Sequence, residues 1–209
     1  MTVNSVAEAE PQALPVLDDT GRAILFTDAR TANSFAPTPV TDAELEGVWQ
    51  LAKWPPTAAN VQPLRVLYVR TPGGRERLVR HMSDGNKAKT ASAPAVAVLA
   101  LDTQFHEHVP QVLPFRPGLR DVFAADETMR TETMRFSGAL QAGYFLLAVR
   151  AQGLAAGPMA GFDRDGLDAE FFPDGRWKSI LVVNIGHPGA DPWFGRLPRL
   201  DHADVIRWA

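Results

Sequence analysis

One short segment sets the strongest constraint on the fold. Pro94 is followed by Ala-Val-Ala-Val-Leu-Ala-Leu, residues 95–101, a near-continuous apolar run. It is far too short for a membrane span, which takes roughly 20 apolar residues. Its composition suits a strand buried on both faces. The chain has the material to cover such a strand: 209 residues, 45% hydrophobic and 22% charged, enough for one domain or two small ones with a real core. Lysine and arginine number 21 against 24 acids, so no basic excess points to nucleic acid or to an anionic membrane. Cysteine is absent, which excludes disulfides, thiolate zinc sites, iron–sulfur clusters and a cysteine nucleophile.

Other elements are legible around that strand. Thr41-Asp42-Ala43-Glu44 is a capping box, opening a helix with Leu45, Val48, Trp49 and Ala52 on its apolar face. Pro55-Pro56 ends it. Residues 64–70 alternate and read as a strand, 71–74 as a turn, and 75–82 as a short basic helix. Residues 102–127 hold three prolines, three phenylalanines and two histidines without a sustained period, which suits a lid or binding surface. The longest helix is predicted over 130–152, with Met134, Leu140, Tyr144, Leu147 and Ala148 apolar and Gly153 at its C′ position. Asp163 caps a helix through Phe171, residues 177–185 form a third strand, and Asp201 caps a C-terminal helix. The class is α+β, a small central sheet surrounded by helices. Residues 1–20 lack Lys and Arg, carry four acids and have no apolar h-region, so they read as a disordered acidic leader. Residues 21–209 form the domain, and a cytoplasmic location is the default.

Side chains alone offer little chemistry. No Gly-rich dinucleotide loop, phosphate-cradling Gly-Lys-Ser/Thr loop or Gly-x-Ser-x-Gly elbow is present. His106 and His108 flank Glu107, a set that reads either as a metal clasp or, better, as a solvated loop. An enzyme with this inventory takes its reactivity from a bound cofactor.

Three segments suit such a cofactor. Asp28-Ala29-Arg30-Thr31-Ala32-Asn33-Ser34-Phe35 sets a guanidinium beside a hydroxyl and an amide, either a phosphate clasp or an ordinary polar loop. Trp54-Pro55-Pro56-Thr57-Ala58-Ala59-Asn60-Val61-Gln62-Pro63 is a rigid turn of small residues that lets backbone approach a flat ligand. In it, Asn60 and Gln62 serve local bracing or a ring edge. Gly157-Pro158-Met159-Ala160-Gly161-Phe162-Asp163 presents backbone N–H groups. Near the C-terminus, Arg196-Leu197-Pro198-Arg199 offers further guanidiniums to a phosphate or to solvent.

In this order and spacing, from about Leu25 to the C-terminus, these pieces resemble the FMN-dependent nitroreductase family. The resemblance is closest to the malonic semialdehyde reductase subgroup of pyrimidine-ring catabolism. Leu25-Phe26-Thr27-Asp28-Ala29-Arg30-Thr31, Gly85-Asn86 with Lys89-Thr90, Gly157-Pro158-Met159, Gly161-Phe162-Asp163, Asn184-Ile185-Gly186 and Arg196-Leu197-Pro198-Arg199-Leu200 carry it. The resemblance implies a mostly antiparallel sheet inside an intertwined homodimer, with FMN in each interface pocket. Arg30, Thr31 and Asn33 would hold the FMN phosphate and ribityl chain, with Arg196 adding a phosphate contact. Pro56, Thr57 and Ala58, together with Asn60, would line the ring from the partner subunit. Asn86 and Lys89 would serve the N1/C2-carbonyl side, and N–H groups around Ala160 and Gly161 would face N5. Ala29 and Asn33 stand where many relatives carry basic residues, and Ala160 where glutamate is common.

A lysine near N1 stabilises the negative charge of a reduced flavin in a low-dielectric pocket. The implied reaction is hydride transfer from transiently bound NAD(P)H to malonic semialdehyde, giving 3-hydroxypropionate. Arg116 and Arg120 would read the substrate carboxylate. A nitroaromatic or quinone acceptor, stacked on Phe105, Phe115 or Phe123, is the rival. A flavin-binding module without turnover is the reading outside enzymes.

Overall fold

A computed structural model describes residues 13–209. Four strands, β1 (Leu64–Val69), β2 (Ala95–Asp102), β3 (Ala155–Met159) and β4 (Trp177–Gly186), form one sheet in the order β1-β2-β4-β3, antiparallel throughout. The helices are α1 (Asp19–Arg22), α2 (Asp42–Ala52), α3 (Pro72–His81), α4 (Asp84–Ser92), α5 (Val109–Val112), α6 (Leu119–Ala125), α7 (Glu127–Ala151), α8 (Arg164–Phe171) and α9 (His202–Val205).

Strand β2 is buried at every position. Its odd residues, Ala95, Ala97, Leu99 and Leu101, enter one core with α2 and α7. Its even residues, Val96, Val98 and Ala100, enter a second core with α3 and α8. The two-residue period of a strand thus builds a three-layer sandwich from one apolar run. Each large side chain fully buried there contributes roughly 1.5–3 kcal/mol.

Several expected boundaries move. Residues 71–74 are not a separate turn: Thr71 caps α3 through Gly74 N–H (3.1 Å), and Pro72 takes the first turn, where its missing N–H costs nothing. The capping box at Thr41 forms with both bonds in place. Asp163 caps α8 through Gly166 N–H (3.1 Å), whereas Asp201 precedes α9 without a side-chain cap bond. The third strand in sequence is β3, and the strand expected third, over 177–185, is the fourth, β4. Pro158 is accommodated because β3 is an edge strand. Helix α4 is an element that the apolar pattern does not predict.

Helix α7 starts at Glu127 behind the Asp126 cap, and Gly153 follows it with φ 75°. Its buried face is Met134, Ser137, Gly138, Gln141, Ala142, Phe145, Ala148 and Val149. Leu140 and Tyr144, expected inside, are exposed. The sheet comes too close for large residues on that stripe, since a Cβ on Gly138 would run into Leu101. Residues 102–127 hold three short helical pieces rather than an open loop, and Phe105 and Phe123 are core, edge-to-face at 5.3 Å.

The predicted leader, residues 1–20, lies outside the described residues as far as residue 12. Asp19 and Thr20 already belong to α1, which Asp18 caps through Gly21 N–H (2.7 Å). No described helix is long and apolar enough to cross a membrane.

Candidate functional site

The open edge of β3 organises the first part of the site. Ala32 N–H donates to Ala156 O across that edge (3.0 Å), pinning the 28–35 segment beside the strand. Phe35 forms a bridge with Pro188. The approach is close enough that a Cβ on Gly157 would lie 2.7 Å from Ala32 O.

Beside this junction, Arg30, Thr31, Asn33, Arg196 and Arg199 line one cavity of about 210 Å³. Two guanidiniums lace its walls reciprocally. Arg30 Nη1 donates to Phe194 O (3.1 Å), while Arg196 Nη2 donates to Thr27 O and reaches Ala29 O (3.5 Å). Each arginine has further N–H groups to offer, and the net charge of the lining is positive. The four residues expected at a phosphate are therefore brought together from opposite ends of the chain.

The second part lies beyond the other end of β3. Gly161 O accepts from Ser83 N–H (3.1 Å) and from Asn86 Nδ2 (2.9 Å), and Met82 bridges Phe162. Asn86 thus fixes the peptide at Gly161. Lys89 sits three residues further along α4 on the same face. Ala160 follows the last residue of β3. The two parts flank β3, whose five residues, Ala155–Met159, span roughly 13 Å, and so lie at the ends of one elongated site.

The third part stands apart within one chain. The Pro56–Asn60 turn packs toward α7, with Ala58 N–H donating to Ser137 Oγ (3.3 Å). Ala59, Asn60 and Gln62 have φ of 50°, 54° and 44°, in the left-handed region that non-glycine residues avoid. Such residues cost about 1–3 kcal/mol each and persist only when surrounding bonds enforce them. Asn60 Nδ2 donates to Val112 O (2.8 Å), and Gln62 Nε2 donates to Asn60 Oδ1 (3.0 Å). Within one chain these amides brace the turn, Asn60 tying it both to Gln62 and to the end of α5. The strain was invisible in sequence, because none of the three residues is glycine.

Arg116 and Arg120 join neither end of the elongated site. Arg116 borders a surface cavity with Leu119 and Val122, and Arg120 pairs with Asp121 at 3.0 Å. Phe115 alone of the three phenylalanines in that segment is exposed. His106 is buried, and its pKa is lowered, chiefly by burial and then by the charge of Arg130. No group of three or more potential metal ligands exists among the described residues.

A profile of the nitroreductase family matches residues 27–187. The chain belongs to the nitroreductase family. A Streptomyces coelicolor protein, provisionally named as an NADH dehydrogenase/NAD(P)H nitroreductase, is 61% identical over 94% of this chain and 97% of its own length. A Rhodopseudomonas palustris protein of the same name is 46% identical over 88% of this chain and 93% of its own. The solved structure of a provisionally named nitroreductase from Exiguobacterium sibiricum in complex with FMN superposes with a TM-score of 0.81. It covers 95% of this chain and 100% of that one at 16% identity, a likeness of fold. The α+β architecture expected for this family is the one observed.

Proposed function

We propose that this protein is an FMN-dependent oxidoreductase that passes hydride from NAD(P)H to a small acceptor. The observation that carries this reading is the convergence of Arg30 and Arg196, with Thr31 and Asn33, on one cationic cavity at the end of β3. The donor set suits a phosphate monoester, and beside it Gly157 leaves no room for a side chain against Ala32 O. Bound FMN would supply two-electron chemistry at its ring, which no side chain here can supply.

The residues divide that work. Arg30 and Arg196 anchor the phosphate while holding the N- and C-terminal segments together. Asn86 orients the Gly161 peptide, leaving Ala160 and Gly161 N–H groups to face the ring. Lys89 supplies positive charge where negative charge develops on reduction. Pro56, Thr57 and Ala58, just ahead of the strained residues 59–62, line the ring of a neighbouring subunit in a homodimer.

For the acceptor, the first choice is malonic semialdehyde: hydride adds to the aldehyde carbon, the oxygen takes a proton from solvent, and 3-hydroxypropionate forms. Arg116 and Arg120 are the candidate carboxylate readers, carried toward a site by the second subunit. Exposed Phe115 favours a second reading, a flat nitroaromatic or quinone acceptor. The test is kcat/KM for malonic semialdehyde against a nitroaromatic and a quinone under one nicotinamide donor. A large preference for the flat acceptors removes the aldehyde reading. Purified protein whose flavin absorbance never bleaches with NADH or NADPH overturns turnover itself.

A further inference from the structure

Arg30 separates two cavities. The one on its other side, about 240 Å³, shares Ala29 and Arg30 with the phosphate groove. Ile24, Asp28, Arg150, Leu154, Pro188 and Trp193 also line it. Arg150 comes from the last turn of α7, where Gly153 N–H closes the helix on Arg150 O (2.9 Å). Its guanidinium is half-buried. Burial lowers its pKa, and no charged group among the described residues offsets that. The helix dipole favours a cation at this position, and the Arg150 guanidinium lines the cavity, where an anion can meet its N–H donors.

We infer that this cavity receives the adenosine 2′-phosphate end of NADPH, with Arg150 on the phosphate and Trp193 beside the purine. The inference rests on the hydride-transfer reading above. Three features support it. The cavity pairs a guanidinium wall with an apolar and indole wall, as a phosphorylated adenosine requires. Two guanidiniums face one carboxylate, leaving net positive charge, and Asp28 can accept from an adenosine hydroxyl or amine. Ala155 and Ala156 border the cavity at the start of β3. Gly161 lies two residues past the other end of β3, a strand spanning roughly 13 Å, within reach of an extended dinucleotide whose nicotinamide meets the ring there.

The test is calorimetric titration of FMN-loaded protein with adenosine 2′,5′-bisphosphate and with adenosine 5′-monophosphate. The bisphosphate is expected to bind about tenfold more tightly, the increment of one charge-assisted contact. In Arg150→Met that preference is lost, and the NADPH/NADH ratio of kcat/KM falls by a similar factor, while Arg150→Lys keeps part of both. Equal binding of the two nucleotides by the unsubstituted protein overturns the inference, and that arm needs no variant to fold. So does a preference that survives in Arg150→Met. A protein that oxidises neither NADH nor NADPH but still prefers the bisphosphate through Arg150 would retire the hydride-transfer reading and leave the site standing.

Discussion

A guanidinium carries five N–H donors in a fixed fork, and Arg30 commits one arm to Phe194 O while turning the rest toward two cavities. Arg30→Ala should weaken FMN retention by roughly 1.5–3 kcal/mol, the range for a hydrogen bond to a charged group. Recovery of flavin fluorescence on dilution measures it; unchanged retention would place the phosphate elsewhere. Asp102 is a different kind of residue. It is buried beneath Arg65 (2.7 Å) and Arg176 (2.9 Å), and Gln104 N–H donates to it (2.9 Å). Burial alone would raise its pKa. The bond from Arg176, that from Gln104 and the charge of Arg65 outweigh it, and the net shift is downward. The unfolded carboxyl therefore binds protons more readily than the folded one. The stability this gives is present above the ordinary value near 3.8 and is lost as pH falls through the lower folded value. Asp102→Asn should cost about 3 kcal/mol, the lower end for breaking a buried pair because both arginines can rehydrate. It should also flatten Tm against pH below about 4. A parallel loss of Tm in both proteins across that window would contradict this.

At the scale of elements, legibility in the sequence followed from whether local chemistry and burial agreed. Strand β2 and the α2 capping box were readable because pattern and environment point the same way. Strand β3 was not, because Gly157 and Pro158 both disfavour strands, and only its edge position makes them tolerable. Helix α7 was readable in extent but not in orientation. Ser137, Gly138, Gln141 and Ala142 face the sheet because little space is available, while the larger Phe136, Leu140 and Tyr144 stay outside. For the site, the residues that line the cavity at Arg30 and Arg196 were legible, but the bond from Asn86 to Gly161 O was not, since Asn86 was expected at the ring's N1/C2-carbonyl side. The left-handed turn at 59–62 was not, since tertiary bonds impose it. The close approach at Gly157 gives a test at this scale. Its Cβ would meet backbone, Ala32 O, rather than a movable side chain. Gly157→Ala should cost about 1–3 kcal/mol, as overpacking does, and should loosen FMN as the 28–35 segment lifts off β3. A variant with unaltered Tm and flavin content would show that the junction gives way freely.

The whole molecule leaves an apolar face uncovered. Phe136, Leu140 and Tyr144 recur every four residues along one side of α7, and Phe26 is exposed on the helical turn Ala23–Thr27 that packs against that helix. Trp54 and Leu51 are exposed close to the strained turn. Scattered exposed apolar residues are ordinary, but a helical stripe of this kind is what an interface requires. The two ends of the elongated site and the Pro56–Ala58 turn are not joined within one chain, so a second copy seated on this face would both bury the stripe and complete the ring pocket. Phe136→Glu with Leu140→Glu places two charges where the partner helix would pack. Sedimentation should show the unsubstituted chain as a dimer and the double variant as a folded monomer. If the pocket is shared, the monomer should also lose FMN, although neither substitution touches Arg30, Asn86 or Gly161. A monomeric unsubstituted chain that keeps its flavin would make the pocket the work of one subunit and leave the Pro56–Ala58 turn without a role at the ring.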